Sequence, residues 1–302
     1  MKTLTLIFYN NILPIFLIVG LGFALKRTLD FEIKPISHTI FYILSPCLAF
    51  SSLYQSSLGG WEFWEIPSFV LVLTLVLWSI SWAVTRALRL DKAMESAFLL
   101  TTLFVNAGNY GLSLIFLTFG EKALSRAVIY LLINTLLLNT AGVYLASRGR
   151  KERGCALFNI LKVPLVYAAS LAILLNLSHI RLPNPLLRAV NTIGKAAIPL
   201  MLLLLGMQLA KTPFFWRKKG VFLAASIRLI LAPVLAFLLA SWLGLSGTSR
   251  LVCVVEASMP TAVMTCILAS QFDLLPDFIT SVVFLSTLAS PLTLTLLIAL
   301  VG

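Results

Sequence analysis

Charge is scarce in this sequence. Only 11% of its 302 residues are Asp, Glu, Lys or Arg, and just 11 are acidic. A soluble domain carries about a quarter charged residues to keep its surface wet. With 60% hydrophobic residues and a mean hydropathy of +1.00, this chain cannot do so. That excludes a cytosolic enzyme and a nucleic-acid-binding module, despite a net charge of +12 and a pI near 9.8. In a membrane protein such an excess of Lys and Arg is an orientation signal. Histidine is nearly missing: His38 and His179 lie far apart, near the ends of hydrophobic segments, and read as interfacial side chains. The four cysteines, Cys47, Cys155, Cys253 and Cys266, lack ligand-like spacing, which argues against a disulfide framework and a metal site. No G-x-S-x-G, H-E-x-x-H, Walker or dinucleotide motif is present. No catalytic residue, metal or cofactor is therefore expected.

Long apolar runs are what the sequence has in abundance. About 20 apolar residues cross a bilayer, and ten runs qualify: Thr3–Leu25, Pro35–Gly60, Ile66–Thr85, Ser96–Gly120 and Ala127–Ser147, then Val163–Ile180, Ala189–Ala210, Val221–Leu243, Leu251–Phe272 and Phe278–Leu300. The first run is followed by Lys26 and Arg27 and lacks a small-residue cleavage site, so a retained helix is expected, not a signal peptide. The odd-numbered loops hold 15 basic residues, against 6 in the termini and even-numbered loops. The positive-inside rule then places the odd loops in the cytoplasm and both termini outside.

The runs also repeat. Pro14 in the first recurs as Pro164 in the sixth, Pro46 in the second as Pro199 in the seventh, and the Asn106–Gly108 region of the fourth as Met259–Thr261 of the ninth. Five helices per half is an odd number, so the second half enters the membrane upside down. The expected organisation is a first five-helix repeat over 1–147, a cytoplasmic linker over 148–160 and a second, inverted repeat over 161–302, an architecture on which many transporters are built.

Two runs are expected to break at mid-membrane. The fourth reads Phe104-Val-Asn-Ala-Gly-Asn-Tyr-Gly-Leu112, with two Asn and two Gly within six residues, all poor helix formers. The ninth reads Glu256-Ala-Ser-Met-Pro-Thr-Ala262, where proline removes one donor and frees the carbonyl of Glu256. Glycines in membrane helices also serve close packing, but paired breaks in inverted repeats point to a substrate site. The second halves of both helices begin at the midplane and present positive dipole ends there, which favours an organic anion. Asn106, Gly108, Asn109, Gly111, Ser258, Pro260 and Thr261 are the candidate substrate-binding residues. The freed carbonyls and first-half C-termini favour a cation instead, Na⁺ or H⁺. Of the charged residues well within runs, Lys195 and Arg228 lie close enough to a membrane face to snorkel. Glu256 does not, and a carboxylate at this depth costs a few kcal/mol or more unless paired, protonated or bound to a cation. Glu256, with Asn106 facing it, is the candidate ion-coupling pair.

These segments resemble the auxin efflux carrier family, in its prokaryotic form without the long hydrophilic loop of plant members. The seventh run, with Pro199-Leu200, Gly206 and Leu209-Ala210, looks like the family's Pro-Leu…Gly…Leu-Ala segment. Asn106, Gly108 and Gly111 look like its Asn-x-Gly-x-x-Gly motif, although Ser113 stands where the family often has proline. Met259-Pro260-Thr261-Ala262 and Leu285-Ser-Thr-Leu-Ala-Ser-Pro291 match as well. The resemblance implies an all-α fold of ten transmembrane helices with crossing helices 4 and 9, as in bile acid symporters and NhaA-type antiporters. It further implies an elevator-like motion of helices 3–5 and 8–10 against a scaffold of helices 1, 2, 6 and 7, often a homodimer interface. The expected protein is a secondary transporter of a small carboxylate or dicarboxylate, auxin-like or malate- or malonate-like, in the cell membrane, with no nucleic-acid partner. A membrane receptor that binds the same ligand without moving it is the alternative, which reconstituted uptake separates.

Overall fold

A computed structural model of the chain describes residues 2–29, 31–56, 60–148, 163–211 and 220–301. Of the linker at 148–160 only Arg148 falls within them, and Cys155 lies outside the described residues. The described residues form helices throughout. They run in the order α1 (Leu4–Leu29), α2 (Ile33–Tyr54), α3 (Phe63–Ala87), the half-helices α4a (Lys92–Leu103) and α4b (Ala107–Phe119), and α5 (Glu121–Ser147). Then come α6 (Pro164–Leu177), α7 (Asn184–Lys211), α8 (Val221–Trp242), the half-helices α9a (Gly247–Ala257) and α9b (Met264–Phe272), and α10 (Pro276–Val301). Among the described residues seven of these, α1, α2, α3, α5, α7, α8 and α10, are long and apolar enough to cross a bilayer. The chain is an all-α, multi-pass membrane protein. The helix boundaries differ from the hydrophobic runs where capping outweighs hydropathy. α7 starts at Asn184, ahead of Arg188, because Pro185 sits in its first turn, where no backbone donor is needed.

Prolines shape the long helices through widened turns. Phe8–Ile12, Ile40–Leu44 and Ile227–Leu231 are π-helical and lie just before Pro14, Pro46 and Pro233. A proline ring collides with the carbonyl one turn earlier, and an i→i+5 turn opens the room it needs without ending the helix.

Glycines set the closest helix contact. A Cβ on Gly22 of α1 would lie within 2.9 Å of the Leu203 backbone of α7. One on Gly206 of α7 would lie 2.8 Å from the Phe23 nitrogen of α1. The two backbones therefore touch, as small residues permit in membranes. Gly194 does the same for α7 against Leu48 of α2. α6 is tied to the end of α2 by polar bonds: Asn176 Nδ2 donates to the Tyr54 carbonyl (2.7 Å) and Tyr54 Oη donates to the Ile180 carbonyl (3.0 Å). Around this group α3, α5, α8 and α10 enclose α4a and α9a.

Candidate functional site

The two interrupted helices meet at their interruptions. α4a stops at Leu103 and the backbone of Phe104 is extended. α9a stops at Ala257, and Ser258–Val263 leave the helical path around Pro260. The loose backbones pair antiparallel at Val105 and Thr261. Asn106 N–H donates to the Pro260 carbonyl (2.8 Å), and Ala262 N–H donates to that of Phe104 (2.9 Å). No water replaces lost backbone bonds in a bilayer, so each break completes the other.

This crossing sorts the four helix ends by sign. The N-terminal ends of α4b and α9b line one cavity of about 170 Å³, through Asn106, Gly108 and Asn109 on one side and Ala262, Val263 and Met264 on the other. Asn134 and Asn139 of α5 and Gln208 of α7 add polar groups, and no charged side chain lines it among the described residues. The Asn106 side chain is 6% exposed and its Nδ2 has no hydrogen-bond partner there. At the opposite ends, Arg228 of α8 is fully buried. Its Nη1 donates to the Thr102 carbonyl of α4a (2.9 Å) and its Nη2 to the Ala257 carbonyl of α9a.

The candidate residues divide accordingly. Asn106, Gly108 and Asn109 reach the cavity, whereas Pro260 and Thr261 bridge the two breaks, and Gly111 and Ser258 do not line the cavity. The Thr261 hydroxyl donates to the Thr101 carbonyl (2.8 Å), its N–H donates to Ser286 Oγ (3.2 Å), and the Ser258 hydroxyl donates to the Val254 carbonyl (2.7 Å). Gly111 leaves room for Glu256: a Cβ there would lie 2.7 Å from the Glu256 Oε1 and Cδ. Glu256 is buried, and neither carboxylate oxygen has a partner among the described residues. The carbonyl that Pro260 frees does not wait for a cation beside it, since Met259 N–H donates to it (3.1 Å). Nor does Arg228 snorkel. Its position on α8 turns it inward, onto the two carbonyl ends. Lys195 is exposed and lines a second cavity, of about 440 Å³, with Lys122 and Arg126.

Sequence reasoning passed over Asn134, whose Nδ2 donates to the Val105 carbonyl (3.2 Å) and steadies the break. Its signal was present as two Asn-Thr pairs, at 134–135 and 139–140, within the apolar run 127–147. Glu95 was also missed; it is buried at the start of α4a and paired with Arg148 (2.9 Å). Ser113, at the position of the family's proline, donates its hydroxyl to the Asn109 carbonyl (3.1 Å).

Comparison with known proteins places this geometry in context. The family model described as "Membrane transport protein" matches residues 7–158 and 153–298. A Methanothermobacter thermautotrophicus protein named as an uncharacterized transporter is 26% identical over 95% of this chain and 96% of its own. A second uncharacterized transporter, from Methanocaldococcus jannaschii, is 27% identical over 87% of this chain and 88% of its own. A Rhizobium meliloti protein, provisionally named a malonate transporter, is 24% identical over 96% of this chain and 94% of its own.

Proposed function

The chain belongs to the membrane transport protein family, that of the auxin efflux carriers, and we propose that it is a secondary transporter of a small dicarboxylate. The observation that carries this reading is a cavity with no charged lining among the described residues, on which two half-helix N-termini converge. Each end supplies about half a positive charge and free N–H groups, and the unpartnered Asn106 amide adds a donor. A carboxylate is the ligand group these donors fit. Size narrows the class, because about 170 Å³ is well below the roughly 300–1,000 Å³ of sites for drug-sized ligands. A malonate- or malate-sized acid suits it better than an indole acid, and the name of the Rhizobium relative points the same way.

The proposed architecture is ten crossings in two inverted halves, with both termini outside the cell membrane. α1, α2, α6 and α7 form a scaffold through which two copies pair, and the elements carrying the crossing slide against it as an elevator. Glu256, buried behind the cavity without a hydrogen-bond partner among the described residues, is the group whose charge state couples movement to an ion gradient. The test is a melting screen of the purified protein with mono- and dicarboxylates, followed by uptake of the best ligand into proteoliposomes. Stabilisation by small dicarboxylates together with uptake supports the reading; stabilisation without uptake identifies a receptor.

A further inference from the structure

A fully buried arginine in a membrane protein with this little charge calls for a reason. Arg228 sits in the widened turn of α8, and its guanidinium fork reaches the Thr102 carbonyl of α4a and the Ala257 carbonyl of α9a. Those carbonyls belong to the last turns of the two half-helices, where each helix carries about half a negative charge. One planar cation with several donors therefore answers two negative ends, a geometry that suits guanidinium better than ammonium. Several other carbonyls of the crossing are engaged within the protein. That of Thr101 accepts from Thr261 Oγ1, that of Val105 from Asn134 Nδ2, that of Asn106 from Gly111 N–H, and that of Glu256 from Met259 N–H.

We infer that Arg228 is the resident cation of the crossing: it fills the place that the carbonyl ends of α4a and α9a would otherwise offer to Na⁺, so the protein is sodium-independent and its exchangeable cation is a proton on Glu256. A hard metal cation needs a shell of several oxygens, and here one carbonyl at each half-helix end is already held by Arg228, a group that is always charged and covalently fixed. A proton needs one oxygen, and Glu256 keeps both of its own unengaged. Glu256 interacts electrostatically with Tyr130 of α5 and Cys253 of its own helix, and these in turn with Arg228 on α8 and Glu65 on α3. Among the described residues no group of three or more His, Cys, Asp or Glu side chains forms that could hold a metal ion. The position of the cation stands on the geometry alone, whereas its consequence for coupling rests on the transporter reading.

The experiment is a melting comparison of the purified full-length protein in sodium chloride and in choline chloride of equal ionic strength. The wild type is expected to melt at the same temperature in both. Arg228→Ala is expected to melt many degrees lower, with guanidinium at low millimolar concentration, but not urea, restoring part of the loss. Arg228→Lys is expected to fall between, and it serves in place of the alanine variant if that one does not fold. In proteoliposomes a pH gradient is expected to drive malonate uptake and a sodium gradient to leave it unchanged. Stabilisation of the wild type by Na⁺, uptake driven by a sodium gradient, or wild-type melting in both variants would overturn the inference. Uptake under neither gradient would sink the transporter reading alone, since melting reads the cation place without transport.

Discussion

The contact between α1 and α7 and the crossing of α4 with α9 solve one problem in opposite ways. At the first, Gly22 and Gly206 let the two helices touch backbone to backbone. At the second, the helices give up backbone bonds and repair the loss across the break, through Asn106 to Pro260 and Ala262 to Phe104. Polar groups then remain over: the Asn106 amide, the Glu256 carboxylate and the Nε of Arg228 lack partners among the described residues. Close backbone packing makes a surface that holds its shape. Surplus donors and acceptors at mid-membrane make a site, because such groups are costly unless a ligand or ion uses them.

Substitutions break that contrast in graded steps. The largest effect is expected at the glycine contact. Gly206→Leu forces its side chain into the Val19–Phe23 backbone, an overpacking that no rotamer relieves, at a cost of about 3 kcal/mol or more. The yield of monodisperse protein on size exclusion reads this, and a wild-type yield would refute the contact. Next comes Glu256→Gln, which keeps shape and hydrogen-bonding capacity. It is expected to bind substrate and exchange it across the membrane while losing gradient-driven accumulation. Gly111→Ala presses on the same carboxylate and is expected to impair accumulation with little change in melting. Asn109→Leu removes a polar group from the cavity and is expected to weaken binding by roughly 1–3 kcal/mol without lowering yield. The smallest effect belongs to Gly108→Ala, whose Cβ meets only Leu131 Cδ1 at 3.6 Å. Calorimetric affinity and melting close to wild type check it, and a large loss would show that the backbone of Gly108 itself carries the ligand.

Much of this was legible in the sequence because hydropathy and helix breakers act locally. Runs of apolar residues mark the spans, and Asn106–Gly111 and Pro260 mark the two interruptions. What could not be read is which way a side chain turns. Thr261 and Asn109 look alike as capping residues, yet one faces the Thr101 carbonyl and the other the cavity. Arg228 sits as near a membrane face in sequence as a snorkelling arginine would, and only the approach of α4a and α9a to α8 shows why it stays inside. Asn134 was hidden for a related reason, since its partner carbonyl at Val105 is free only because α4 breaks.

The proposed substrate is a carboxylate held at the N-terminal ends of α4b and α9b. Calorimetric titration of the purified protein with malonate and with its uncharged dimethyl ester, in the wild type and in Asn106→Leu, tests that most directly. The expected result is binding of the acid but not the ester, weakened roughly tenfold or more in Asn106→Leu through loss of a buried donor. Equal binding of acid and ester, or unchanged affinity for the acid in Asn106→Leu, would contradict it.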